Sequence, residues 1–178
     1  MKFYRCQICG DPFMGDAMPS HCPFCGAHQD YISTAADWVD ENQTIGEMTE
    51  VSRGNLEKAI HLEVNNQAFY LDASENADTI ELQGIFKNLS KIEGEHASAI
   101  RKMLKVESPE PDPGREAAGT SDHDNIVKAR ELEEAASTFY AQSALDASEP
   151  RVNKVFKVLS EIESDHIQLE TALLDRGI

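Results

Sequence analysis

The sequence contains two copies of one unit. Shifted by 70 residues, segment 58–96 lies on 128–166 without a gap, and 14 of 39 positions are identical. The shared positions include Leu62/Leu132, Glu63/Glu133, Phe69/Phe139, Tyr70/Tyr140, Phe86/Phe156, Leu89/Leu159, Ile92/Ile162, Glu93/Glu163 and His96/His166. Whatever the first half folds into, the second half must repeat. Acidic and histidine residues recur together with the apolar ones.

Each copy is helical in pattern. Segments rich in Ala, Leu, Glu and Lys predict four helices near 51–73, 79–105, 122–146 and 151–175, broken at 74–79, 106–122 and 148–150. Pro109, Pro111 and Pro113 cannot sit inside a helix, so they separate the set into two antiparallel hairpins. The connection between the hairpins, about 16 residues long, can reach ~50 Å extended, against ~40 Å for the longest helix. It can therefore cross the whole bundle. The predicted fold is mainly α, a ferritin-like antiparallel four-helix bundle with one long crossover.

Several conserved polar positions of the repeat fall on the apolar faces of these helices. Glu93 and His96 share a stripe with Phe86, Leu89, Ile92, Ile100 and Met103, and Glu163 and His166 share one with Val155, Phe156, Leu159, Ile162 and Leu169. Glu63 lies with Leu56, Ala59, Ile60 and Tyr70, and Glu133 with Ile126, Ala129 and Tyr140. Glu63 and Glu93 are equidistant from residue 78, and Glu133 and Glu163 from residue 148, each inside a turn. In antiparallel hairpins, all six side chains then meet in one layer of the core. Four buried carboxylates need counter-charge. One Glu from each of two helices, plus Glu-x-x-His from each of the other two, is the ligand set of carboxylate-bridged di-iron or di-manganese bundles. Two divalent ions neutralise four carboxylates. Tyr70 and Tyr140 point toward this layer, as hydrogen-bonding or redox neighbours of the metals or as core tyrosines with satisfied hydroxyls.

All four cysteines lie at the other end of the chain, as Cys6-x-x-Cys9-Gly and Cys22-Pro-x-Cys25-Gly. Residues 1–34 are too few to build their own apolar core and need a staple. The spacing predicts a tetrahedral four-thiolate site, and a glycine after each pair lets the chain turn so that backbone N–H groups face sulfur. Zinc and iron both fit; beside a redox-capable pair of metals, iron gives a one-electron carrier a use. The expected organisation is a four-cysteine metal domain at 1–34, a linker at 35–50 and a di-metal bundle at 51–178.

Acidic residues number 32 against 16 basic ones, a net charge of −16, with no Lys/Arg cluster. That balance opposes nucleic acid and anionic membranes as partners. No apolar run is long enough to span a bilayer, and the first residues have no signal-peptide pattern, so the expected location is the cytoplasm.

With these motifs the chain resembles the rubrerythrins, which join a ferritin-like di-iron domain to a rubredoxin-like domain, here in reversed order. The resemblance covers nearly the whole chain. It implies a hydrogen peroxide reductase with two irons in the bundle and one in the cysteine site. Glu63 and His96 would hold one iron, Glu133 and His166 the other, with Glu93 and Glu163 bridging. Electrons would arrive singly through the cysteine site from an external donor, a rubredoxin or a reductase. The resemblance also implies a head-to-tail homodimer in which each cysteine domain serves the partner's bundle. One position departs from the family: the usual extra carboxylate one turn after the third-helix Glu is Ala136, with Asn66 as its repeat mate, while Glu131 and Glu134 lie off that face. The symmetric six-ligand set is closer to a ferroxidase centre. An iron-handling protein using dioxygen, or a non-catalytic metalloprotein with structural zinc, are the alternatives.

Overall fold

A computed structural model describes residues 1–178. Four helices form the body: α1 (Glu50–Asn76), α2 (Ile80–Leu104), α3 (Asp122–Asp146) and α4 (Pro150–Asp175). Each start is chemically marked. The hydroxyls of Thr49, Thr79 and Ser121 accept from the backbone N–H three residues on, and Pro150 opens α4. The helix α1 runs to Asn76 rather than 73, because Ser74–Asn76 contain no breaker and the chain leaves the helix only at extended Ala77. The two turns centre on residues 78 and 148, which brings the paired glutamates level.

The fold is the ferritin-like bundle of two antiparallel hairpins, with residues 105–121 as the long crossover. The crossover is pinned along α1: Asn65 exchanges hydrogen bonds with Asp112, and Arg115 pairs with Asp72 at 2.8 Å. No helix is long and apolar enough to cross a membrane.

The N-terminal residues form a three-stranded antiparallel sheet, β1 (Lys2–Cys6), β2 (Pro12–Gly15) and β3 (Ile32–Thr34), in the order β2-β1-β3. Its missing core is supplied by the bundle. Tyr4, Ile8, the four cysteines, Ala27 and Ile32 belong to the same buried cluster as Leu56, Ala59, Ile60, Ala97, Ile100 and Ile162. Polar bonds fix the seat. Arg151 of α4 donates to the carbonyls of Gln7 and Ile8, and Tyr31 donates to Glu161. The stretch 35–50 is tightly docked: the Trp38 indole donates to the Cys6 carbonyl, Arg5 stacks 3.7 Å from the Trp38 ring, and Glu41 pairs with Lys154.

Candidate metal centres

The cysteine site is built from two knuckles. Gly10 and Gly26 adopt φ of +85° and +76°, a region that β-carbon sterics deny to most residues. In the first knuckle, the turn at Gly10 lets Ile8 N–H donate to Cys6 Sγ at 3.3 Å and Asp11 N–H to Cys9 Sγ at 3.4 Å. The sulfurs stand 3.7 Å (Cys6–Cys25) and 3.9 Å (Cys9–Cys22) apart, too far for disulfides. A tetrahedron with metal–sulfur bonds of ~2.3 Å has edges of ~3.75 Å, so the spacing fits a tetrathiolate ion. The thiols also cannot ionise independently. Hydrogen bonding, led by Cys22, pushes Cys9 and Cys25 up, whereas Cys22 pulls Cys6 down and Cys25 pulls Cys22 down. A cation resolves that conflict.

The second site lies in the bundle core, where the structure brings together all six side chains singled out from the repeat. Glu63, Glu93, His96, Glu133 and Glu163 are fully buried and His166 nearly so. They form two overlapping groups. His96 Nδ1 lies 3.5 Å from Glu63, 3.4 Å from Glu93 Oε2 and 3.4 Å from Glu163 Oε1. His166 Nδ1 lies 3.6 Å from Glu133, 3.4 Å from Glu93 Oε1 and 2.9 Å from Glu163 Oε2. Glu93 and Glu163 thus turn one oxygen toward each group. Both Nδ1 atoms, both oxygens of Glu93 and of Glu163, and one oxygen each of Glu63 and Glu133 are buried without a hydrogen-bond partner. Orphaned donors and acceptors in such number are costly unless something satisfies them. Two cations would, because imidazole nitrogens and carboxylate oxygens are the kinds of atom that bind divalent ions.

The electrostatics agree. Burial, then Glu163, raises Glu93 well above the usual carboxylate range. Burial and Glu163 likewise lift Glu133 to about 7. Burial would also lift Glu163, but His96 and His166 outweigh it and hold that carboxyl at about 2. Burial disfavours charge on both imidazoles, yet the carboxylates around them raise both well above the ordinary histidine value. The layer therefore attracts positive charge strongly.

Tyr70 and Tyr140 are wholly buried, and each reaches across to the opposite hairpin. The Tyr140 hydroxyl donates to Glu63 and that of Tyr70 to Glu133. The Tyr70 hydroxyl also lies 2.6 Å from Glu170; its single proton serves one carboxylate at a time, so this second contact is made with the protonated form of Glu170. Glu170 is fully buried, with one oxygen unpartnered and its carboxyl lifted to about 8 by burial and by Glu133.

Glu170 corrects the apolar stripe expected on α4. Helical periodicity puts Leu169 inward, whereas in the structure it is 39% exposed. Glu170 follows His166 by four residues, ~40° around the helix, while Leu169 is three on and ~60° the other way. The signal was available as i, i+4 spacing from His166. It is masked in the repeat because the mate of Glu170 is Ile100. Ala136 is fully buried and Asn66 nearly so, and neither supplies a carboxylate.

The two sites touch. His96 Nε2 lies 2.9 Å from the carbonyl oxygen of Cys25, so one imidazole has one edge on the carboxylate layer and the other on a cysteine knuckle.

Comparison with known proteins matches this geometry. The family model described as Rubrerythrin matches residues 54–174, and that described as Rubrerythrin, rubredoxin-like domain, matches residues 4–33. Reverse rubrerythrin-1 of Clostridium acetobutylicum is 31% identical over 114 residues, 58% of this chain. The match spans 62% of that relative, less than two thirds of its length. A solved structure of a hypothetical protein from Pyrococcus furiosus superposes with a TM-score of 0.60 at 22% identity, over 70% of this chain and 88% of the other. That likeness is one of fold.

Proposed function

The chain belongs to the rubrerythrin family, and from that premise we propose that it reduces hydrogen peroxide to water at a di-iron site, with electrons relayed through iron in the cysteine site. The division we assign is a four-cysteine domain at 1–34, a docked linker at 35–50 and a di-iron bundle at 51–178. Cys6, Cys9, Cys22 and Cys25 hold the relay metal. Glu63 and His96 hold one metal of the pair, Glu133 and His166 the other, and Glu93 and Glu163 bridge. Two ferrous ions would supply the two electrons that peroxide takes up, with two protons, to become two waters. Manganese in the pair and zinc among the thiolates are the alternatives that metal analysis of anaerobically purified protein decides.

What supports this reading is one contact: the hydrogen bond between His96 and the Cys25 carbonyl. It joins the two candidate centres through a single side chain, which a merely structural cysteine site would have no need of. The contact lies within one chain, so the relay does not require a partner; a homodimer, a cytoplasmic location and a rubredoxin or reductase as external donor complete the proposal. The protein matrix does the rest. Tyr140 and Tyr70 hold Glu63 and Glu133 in place by donating to them. The apolar wall of buried Phe69, Phe86 and Phe156, with half-buried Phe139 against it, limits access of bulk water.

Ala136 favours a second reading, an iron-oxidising protein that uses dioxygen, because no carboxylate stands one turn after Glu133. Stopped-flow mixing of the reduced protein with peroxide and with dioxygen separates the two. Oxidation of the bundle site is expected to be much faster with peroxide. Equal or faster oxidation by dioxygen would overturn the peroxidase proposal in favour of the second reading.

A further inference from the structure

A third group of metal-ligating side chains lies apart from both centres, where the cysteine domain meets α4. His21 and His28 flank the second knuckle and pair across it through an isolated antiparallel bridge, with their rings edge to face at 4.8 Å. Asp165 projects from α4 between them. Its Oδ2 lies 2.6 Å from His28 Nε2 and 3.6 Å from His21 Nε2. One donor atom from each of the three residues lies within 4.8 Å of the others.

The outer contacts are those of a prepared ligand set. His21 Nδ1 lies 3.0 Å from the Ser20 hydroxyl, which suits Nδ1 as the donor and leaves Nε2 with a free lone pair toward Asp165. The other oxygen of Asp165 accepts from Gln168 at 3.3 Å. Metal-bound histidines and carboxylates are characteristically held by such second contacts. Donors around a tetrahedral first-row ion with bonds of ~2.0–2.1 Å are ~3.3 Å apart, between the two separations seen here. His28 Nε2 and Asp165 Oδ2 are hydrogen-bonded at 2.6 Å, so an ion would replace the proton between them and part them by ~0.7 Å. The side chains of His21, His28 and Asp165 are 50%, 39% and 38% exposed, which leaves room for that movement and turns a fourth position to solvent.

We propose that His21, His28 and Asp165 form a solvent-open site for a divalent first-row transition ion, which clamps the Cys22–Cys25 knuckle onto α4. Two neutral imidazoles and one carboxylate select zinc, iron, cobalt or nickel over calcium and magnesium, which prefer all-oxygen sites. The ion would tie together the segments that carry Cys25 and His166, each a few residues away along the chain. The site does not depend on peroxide chemistry at the bundle centre.

The test uses the holoprotein with its bundle and cysteine sites loaded with iron. After equilibrium dialysis against micromolar Zn2+, elemental analysis of wild type is expected to show one zinc per chain with iron content unchanged. His21→Ala and Asp165→Asn are each expected to weaken that binding beyond the 10–100-fold typical of losing an outer partner. The exposed His21 variant guards against misfolding, and iron content reports on the neighbouring sites. Absence of zinc from wild type, equal zinc in both variants, or zinc gained only as iron is lost would each overturn the site.

Discussion

Replacing Glu170 by Gln probes the charge balance of the buried layer without removing any of the six proposed ligands. Glu170 titrates near 8 in the folded chain against an ordinary 4.5, because burial and then Glu133 disfavour its charge. Between those values the folded chain keeps a proton that the unfolded chain has released. The contribution of this group to stability is therefore full below 4.5 and declines as pH rises to 8. Integrated from pH 5 to pH 8, the loss is about 3–4 kcal/mol. For a chain of this size that is a fall in Tm of about 10 °C. Gln cannot titrate, yet its amide N–H can still donate to the Tyr70 oxygen as the protonated carboxyl does.

The assay is thermal unfolding, followed by far-ultraviolet circular dichroism, of chelator-treated protein at pH 5 and pH 8. Wild type is expected to lose about 10 °C more than Glu170→Gln over that interval. Metal loading should narrow the difference, since nearby divalent cations favour the ionised carboxylate. Equal falls in Tm for the two metal-free proteins would show that Glu170 is ionised in the folded state, and the account of the layer as a region that excludes further negative charge would be wrong.

Three substitutions test how the centres are coupled. Cys9→Ser is expected to abolish turnover with an external donor while leaving a single turnover of the pre-reduced bundle site; loss of both would contradict the division of roles. Arg151→Met removes the donor to the carbonyls of Gln7 and Ile8, and should lower stability by about 1–3 kcal/mol for each carbonyl left without a partner and slow electron transfer between the centres without changing metal content. Gly26→Ala places a β-carbon at φ +76° and 3.1 Å from Ile162 Cγ2. It should cost about 1–2 kcal/mol from the backbone alone, and in donor-driven assays it should reduce the rate more than the same change at exposed Gly114.

The bundle and the six residues of its layer were legible in sequence because the repeat records them twice. Equal spacing about two turns fixes depth, and helical periodicity fixes facing, so their meeting follows from geometry. Glu170 was not legible in that way, since a residue present in only one copy carries no such signal. The seat of the cysteine domain was equally hidden. Arg151, Tyr31, Trp38 and Glu41 act through contacts between distant segments, and neither periodicity nor spacing registers a docking face. Residues 35–50 read as a linker for the same reason: without a repeating apolar pattern, the packing of Trp38 on the Cys6 carbonyl leaves no trace in sequence.

Divergence between the two copies points to unequal halves of a symmetric layer. Repeat mates His96 and His166 present the same nitrogen to the shared carboxylates, but only His96 is backed by a carbonyl of the cysteine knuckle. An outer acceptor of that kind fixes the ring and makes it a stronger donor. On the other half, Tyr70 is held between Glu133 and Glu170, whereas its mate Tyr140 hydrogen-bonds to Glu63 alone. One half therefore faces the cysteine site and the other carries the additional buried carboxyl. Equal halves would need a carboxylate at Ile100 and a second knuckle behind His166; the first is absent from the sequence and the second has no cysteines left to build it. The duplication laid down a symmetric layer of carboxylates and imidazoles, and single-copy residues around it separate the side that meets the cysteine knuckle from the side that carries the extra buried carboxyl.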